Sequence, residues 1–142
     1  MIAIGCDHGA LELKEQLIEH LKKRGSECKD YGTYTKDSCD YPVYAKKVAE
    51  AILSGECEEG ILLCGTGIGM SMAANKIKGI RAALCSDCFS AQATKEHNNA
   101  NVLCMGARVI GPELAFRIAD TFLDSKFSND ERHIRRISML ED

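Results

Sequence analysis

Ile61-Leu62-Leu63-Cys64-Gly65-Thr66-Gly67-Ile68-Gly69 joins a short, wholly apolar run to three glycines at alternate positions. Consecutive apolar residues without polar alternation suit a strand buried on both faces, as in the middle of a parallel sheet. The glycines then allow the backbone to turn and to approach a ligand closely. The short helix expected to follow, through about Lys76, aims its first N–H groups at the same place. The spacing is neither GxGxxG nor GxxxxGK[ST], which argues against a nucleotide cofactor. By spacing alone the loop reads equally as a tight strand-to-helix turn.

The same alternation recurs on both sides of this stretch. Ile2 to Cys6 predicts a first strand, and Ala10 to Arg24 its helix. Ala10, Leu13, Leu17 and Leu21 form one stripe of that helix, with Lys14, Glu15, Lys22 and Lys23 elsewhere and Gly25 as the stop. Glu27 to Tyr31 is a weaker second strand. Asp40-Tyr41-Pro42 opens a helix running through Val48, Ala49, Ile52 and Leu53 to Gly55. Arg81 to Cys85 reads as strand four with a helix from Asp87 to about His97, and Val102 to Met105 as strand five with a helix from Pro112 to Leu123. Asp130 to Leu140 closes the chain as a basic amphipathic helix, with Ile134 and Ile137 on its apolar side. These βα units predict an α/β fold: a single Rossmann-like, three-layer α/β/α domain over residues 1–142, with a five-stranded parallel sheet and a C-terminal basic helix.

Composition narrows the function. Lys and Arg total 18 against 21 Asp and Glu, a formal net charge of −3, so no overall positive field draws the chain to nucleic acid or an anionic membrane. No apolar run approaches the roughly 20 residues of a spanning helix. The start, Met1-Ile2-Ala3-Ile4-Gly5, lacks the features of a signal peptide, so the expected compartment is the cytoplasm. There are 8 cysteines, yet a chain of 142 residues with 45% hydrophobic content can build a core without disulfides, and most read as reduced apolar fillers. Cys85-Ser86-Asp87-Cys88 has no second CxxC or His pair to complete a zinc site. Cys39 and Cys57 fall in polar stretches and read as exposed, without a role.

In open α/β sheets ligands sit beyond the carboxyl ends of the strands. Strand one ends in Cys6-Asp7-His8-Gly9, strand three in the glycine loop and strand five in Met105-Gly106-Ala107-Arg108. Cys64, where strand meets loop, reads either as a buried strand cysteine or as a base. A free thiol titrates near about 8.5, and a helix N-terminus or nearby cations favour its thiolate. Asp7 and His8 suit a helix cap and a surface imidazole as well as ligand contacts. Arg132 and Arg136 share a helix face, with His133 and Arg135 close by. The run suits a solvated basic face, or two guanidiniums on a phosphate dianion, with Arg108 joining them. His97 has an imidazole suited to proton transfer near neutral pH, and its helix is expected to return toward the opposite edge of the sheet or to meet a neighbouring subunit.

Taken in order, Cys6-Asp7-His8-Gly9, Asp40-Tyr41-Pro42, Cys64 to Gly69, Ala73-Ala74-Asn75-Lys76, Gly79-Ile80-Arg81-Ala82, Glu96-His97-Asn98 and Arg132 to Arg136 resemble the type B ribose-5-phosphate isomerases of the ribose/galactose isomerase family. The resemblance spans nearly the whole chain. It implies interconversion of ribose 5-phosphate and ribulose 5-phosphate without metal or organic cofactor, by a homodimer, sometimes assembled further to a tetramer, with active sites shared between subunits. It implies Cys64 as the base, Thr66 and the backbone of Gly65, Gly67, Ile68 and Gly69 as holders of the oxyanion, and His97 as the residue that helps open the ring. Asp7, His8, Tyr41 and Asn98 are implied as substrate contacts, and His8, Arg108, Arg132 and Arg136 as phosphate contacts. One branch of the family places a Glu base just after the loop; Met70 stands there, which leaves the task to Cys64. Alternatives are an isomerase of allose 6-phosphate or galactose 6-phosphate, a flavodoxin-like phosphate-binding module or receiver, and a thiol-redox protein using Cys85 and Cys88.

Overall fold

The computed structural model describes residues 1–142. Strands β1 (Ile2–Cys6), β2 (Cys28–Asp30), β3 (Glu59–Cys64), β4 (Ala82–Leu84) and β5 (Val102–Gly106) form one sheet in the order β2-β1-β3-β5-β4, with every pairing parallel. β3 is central, as its unbroken apolar run predicts, and Gly60 to Cys64 are all buried. It begins two residues earlier than the apolar run, at Glu59, whose carboxylate pairs with the buried Lys95 ammonium. β2 is shorter than expected, yet its ladder continues: Tyr31 N–H donates to the Ile4 carbonyl and Thr33 N–H to the Cys6 carbonyl.

Helices α1 (Leu11–Lys23), α4 (Cys88–Asn98) and α5 (Pro112–Asp124) cover one face of the sheet. Helices α2 (Tyr41–Leu53) and α3 (Ile68–Asn75) cover the other, and α6 (Glu131–Leu140) packs beside α4. The alternation along β1 feeds both layers: Ile2, Ile4 and Cys6 enter the core beneath α1 and α5, Ala3 the core beneath α2. Leu13, Leu17 and Leu21 form the predicted buried stripe of α1. Before α1, residues His8–Ala10 make a single 3₁₀ turn capped by Asp7, whose carboxylate accepts from the Gly9 N–H at 2.9 Å.

Lys14 departs from its expected polar placement: it is fully buried. Its ammonium donates to Asp30 Oδ1 at 2.7 Å and to the Thr33 carbonyl, and lies 4.9 Å from the centre of the Tyr34 ring. A buried charge must be paired and hydrogen-bonded, and the segment after β2 supplies those partners. Cys57 is buried in the core under α2 rather than exposed. In α6 the buried residue is His133, while Ile134, expected on the apolar side, is 49% exposed. No helix is long and apolar enough to cross a membrane.

Candidate active site

The carboxyl ends of β1, β3 and β5 bring one group of residues together. Asp7, 9% exposed, and His8 follow β1; the glycine loop follows β3; Arg108 follows β5. Gly9 packs within contact distance of Gly65, and the Arg108 side chain lies across Gly65. Two turn hydrogen bonds, Ala107 N–H to the Cys64 carbonyl and Arg108 N–H to the Gly65 carbonyl, each 2.9 Å, tie the two loops into one surface.

Local backbone geometry aims the loop at Cys64. Gly67 caps α3 at φ +80°, a left-handed conformation that side chains disfavour. That turn directs its N–H to Cys64 Sγ at 3.1 Å. An N–H donor at the head of a helix supports negative charge on the sulfur. Cys64 is 5% exposed, at the last position of β3 where the core under α3 meets the loop. Thr66 and Ile68 are exposed at the loop tip, the Thr66 Oγ1 accepting from the Ile68 N–H at 3.2 Å. Tyr41, at the start of α2, lays its ring directly against Gly69 and walls the loop on that side. His8 Nδ1 accepts from the Cys39 backbone N–H at 3.2 Å, with Cys39 Sγ 3.7 Å away. That acceptor role leaves the neutral imidazole with its proton on Nε2, a donor for an anion. A cavity of about 490 Å³ opens beside His8, lined also by Gly9, Gln16, Lys36, Ala107 and Gly111.

The remaining expected residues lie elsewhere. α4 runs back from the carboxyl end of β4 over about 16 Å, so His97 and Asn98 reach the amino ends of the strands, as anticipated for this helix. There the His97 ring packs against that of His133 at a 35° tilt, ring centres 4.6 Å apart. His133 Nδ1 and Ser128 Oγ are 2.8 Å apart. Burial, reinforced by His97 and by Arg132, lowers the His133 pKa and favours its neutral form. Arg132 and Arg136 are exposed on α6 in the same neighbourhood. One chain therefore holds two clusters at opposite ends of its sheet: Asp7, His8, Tyr41, Cys64 to Gly69 and Arg108 at one, and His97, Asn98, Arg132 and Arg136 at the other.

Burial pushes Cys6 up to about 12 and Cys85 up to about 11, and raises Cys104 further still, so these are protonated core groups. A raised Cys85 is the reverse of what a reactive CxxC pair needs. All eight cysteines are free, and no group of three or more His, Cys, Asp or Glu is arranged to hold a metal ion. A receiver would carry its phosphoacceptor Asp at the end of β3, where Cys64 stands.

A sequence model of the Ribose/Galactose Isomerase family matches residues 2–140. The chain belongs to that family. Ribose-5-phosphate isomerase B of Escherichia coli is 48% identical over 139 residues, covering 98% of this chain and 93% of that one. The crystal structure of a ribose 5-phosphate isomerase from Thermotoga maritima superposes with a TM-score of 0.96 at 54% identity, covering 99% of this chain and 96% of that one. The galactose-6-phosphate isomerase subunit LacB of Clostridium acetobutylicum is 46% identical over 127 residues, 89% of this chain and 73% of its own.

Two contacts of the candidate site escaped the sequence. His133 backs the His97 ring, and Cys39 fixes the His8 tautomer through its main chain. The second contact spans 31 positions and uses a backbone atom, so no side-chain motif marks it.

Proposed function

We propose that this family member, a single isomerase domain, interconverts D-ribose 5-phosphate and D-ribulose 5-phosphate, with Cys64 as the base. The observation that carries the reading is the Gly67 N–H on Cys64 Sγ at the head of α3, and full-length likeness to ribose-5-phosphate isomerases supports it. Ring opening comes first: the C1 hydroxyl loses a proton, the ring oxygen gains one, and the C1–O bond to the ring breaks. His97 is the imidazole suited to move those protons. The Cys64 thiolate then removes the C2 proton, and the electron pair forms a C1–C2 double bond as charge collects on O1. The O2 hydroxyl proton then passes to O1, and returning the carbon-bound proton to C1 leaves the carbonyl at C2 and a hydroxyl at C1. Thr66 and the N–H groups of the Gly65 to Gly69 loop hold the developing oxyanion, in this chemistry the largest stabilising contribution.

The phosphate, remote from the reacting carbons, is held by His8 Nε2–H and Arg108 with Arg132 and Arg136, and its binding energy orients the carbonyl end. Because Arg132, Arg136, His97 and Asn98 lie at the far end of the sheet from Cys64, the complete site takes them from a second copy of the chain. Large apolar side chains exposed beside the loop support this: Ile68 at 46%, Met72 at 63%, Leu84 at 43% and Phe89 at 80%. A homodimer with two shared sites follows, working in the cytoplasm, where free thiols persist. The test is complementation. Cys64→Ala and His97→Ala chains are each strongly impaired alone on ribose 5-phosphate, but coexpressed they form mixed dimers with one intact site, recovering up to about a quarter of wild-type activity. No recovery from a verified mixed dimer overturns the shared site. A side-by-side assay with allose 6-phosphate and galactose 6-phosphate checks the sugar, with ribose 5-phosphate expected to be preferred.

A further inference from the structure

Arg81, immediately before β4, uses its guanidinium at a junction the chemistry above does not assign. Nε–H donates to the carbonyls of Asn98 and Asn99 at 3.1 and 3.2 Å, and an Nη2–H to Asn99 at 2.9 Å. An Nη1–H donates to Glu141 Oε1 at 2.7 Å. The other Glu141 oxygen accepts from the Gly79 N–H at 3.1 Å. Asn101 completes the frame, its Oδ1 accepting from the Arg81 N–H at 2.8 Å and its side-chain N–H donating to the Gly79 carbonyl at 2.9 Å.

These bonds are placed with purpose relative to the second cluster. The last carbonyls of a helix lack partners within it, and a cation there is favoured by the helix dipole. Asn99, at φ 46°, ends α4 directly after His97 and Asn98. Arg81 holds that end. Through Glu141 it also grips the residue just beyond α6, the helix bearing Arg132, His133 and Arg136. The tilted His133 and His97 rings are in contact, so the two helices meet through them as well. Arg81 is thus the side chain that sets the spacing between the imidazole end of α4 and α6. Its planar fork makes this possible, because a lysine ammonium cannot span two carbonyls and a carboxylate in one plane.

We propose that Arg81 is a positioning residue that acts through the α4 terminus to aim His97 at the sugar ring. The proposal rests on His97 acting in ring opening, and the experiment separates the two. Ribulose 5-phosphate cannot close a five-membered ring, because its C5 oxygen carries the phosphate. Deuterium wash-in at its C1 in D2O therefore reports proton transfer by Cys64 without any ring step. Arg81→Lys is expected to lower kcat from ribose 5-phosphate by about 10- to 100-fold, with the wash-in rate within about twofold of wild type. His97→Ala, measured alongside, gives the same split. If His97→Ala depresses both rates alike, the ring-opening reading fails. If His97→Ala splits them and Arg81→Lys depresses both alike, or neither, the Arg81 proposal falls while that reading stands. Glu141→Gln loosens α6 but leaves the grip on Asn98 and Asn99, so it raises KM and keeps kcat. A kcat loss matching Arg81→Lys would also overturn the route through α4.

Discussion

Replacing Gly67 by alanine tests the loop geometry with a single methyl group. The backbone there stands at φ +80°, and a Cβ built on it would lie 2.6 Å from Leu84 Cδ1 and 2.8 Å from the Met105 carbonyl carbon. Leu84 is 43% exposed and can move aside. The Met105 main chain sits in β5 and cannot. The methyl is about 0.6 Å short of an ordinary 3.4 Å contact, so the loop must retreat by about that amount. The left-handed conformation adds about 1–2 kcal/mol, and with the clash the loss of stability comes to about 2–3 kcal/mol, within the 5–15 kcal/mol of a typical domain. The larger effect is on chemistry. The N–H now 3.1 Å from Cys64 Sγ moves out of range, and its neighbours lose their aim at the oxyanion. One such donor is worth about 2.7–4 kcal/mol, so kcat should fall by about 10²- to 10³-fold. Gly55→Ala, at φ +82° with nothing within 4 Å, carries the conformational cost alone and should keep full activity. Steady-state isomerisation and thermal melts of both variants decide the matter. A Gly67→Ala enzyme with near-normal kcat would refute the reasoning.

Cys64→Ala should lower kcat by about 10²- to 10⁴-fold with an unchanged melting curve; turnover near wild type removes Cys64 as base. Arg132→Ala and Arg136→Ala should each raise KM well beyond any change in kcat, and a KM untouched in both would sink the phosphate assignment. Lys14→Met removes the cation from the Asp30 carboxylate, which keeps only the Gly32 N–H, and the ammonium donor from the buried Thr33 carbonyl, at a cost of about 3 kcal/mol or about 10 °C in Tm; an unchanged Tm would mean the pair is energetically idle. His133 has a depressed pKa in the fold, chiefly from burial. Below its ordinary value of about 6.5 the unfolded chain takes up the proton first, so this contribution to stability is present above that pH and lost as the pH falls through it. Urea melts at successive pH values should show the decline, and His133→Gln should flatten it; an identical decline in the variant would assign the effect to another group.

Much of the architecture was legible because it rests on period and punctuation. The apolar run at Ile61 to Cys64 became the central strand, and the glycines after it became the turn into α3. Positions decided by long-range polar contact were not legible. The helical period sets Lys14, four residues after Ala10 and three before Leu17, beside the buried stripe of α1, but its charge argued for solvent; what allows its burial is the carboxylate of Asp30 and a carbonyl on another segment. In α6 the pattern favoured Ile134, but Ser128 and His97 supply partners that bury His133 instead. Cys57 stands among polar neighbours, Glu56 and Glu58, and packs inward because the chain re-enters β3 there. For the site, residues just after strands could be picked out from topology. Which of them meet could not, since the ends of α4 and α6 are located by packing at the other edge.

Neither apolar core draws a residue from beyond Leu123, and two of the guanidiniums assigned to the phosphate, Arg132 and Arg136, sit on the last helix. Such a layout makes the tail a detachable component. A protease that removes the chain beyond the exposed stretch near Asp130 would leave every strand in place, yet take away two of the four groups assigned to the anionic cargo, so turnover falls by trimming before any melting is seen.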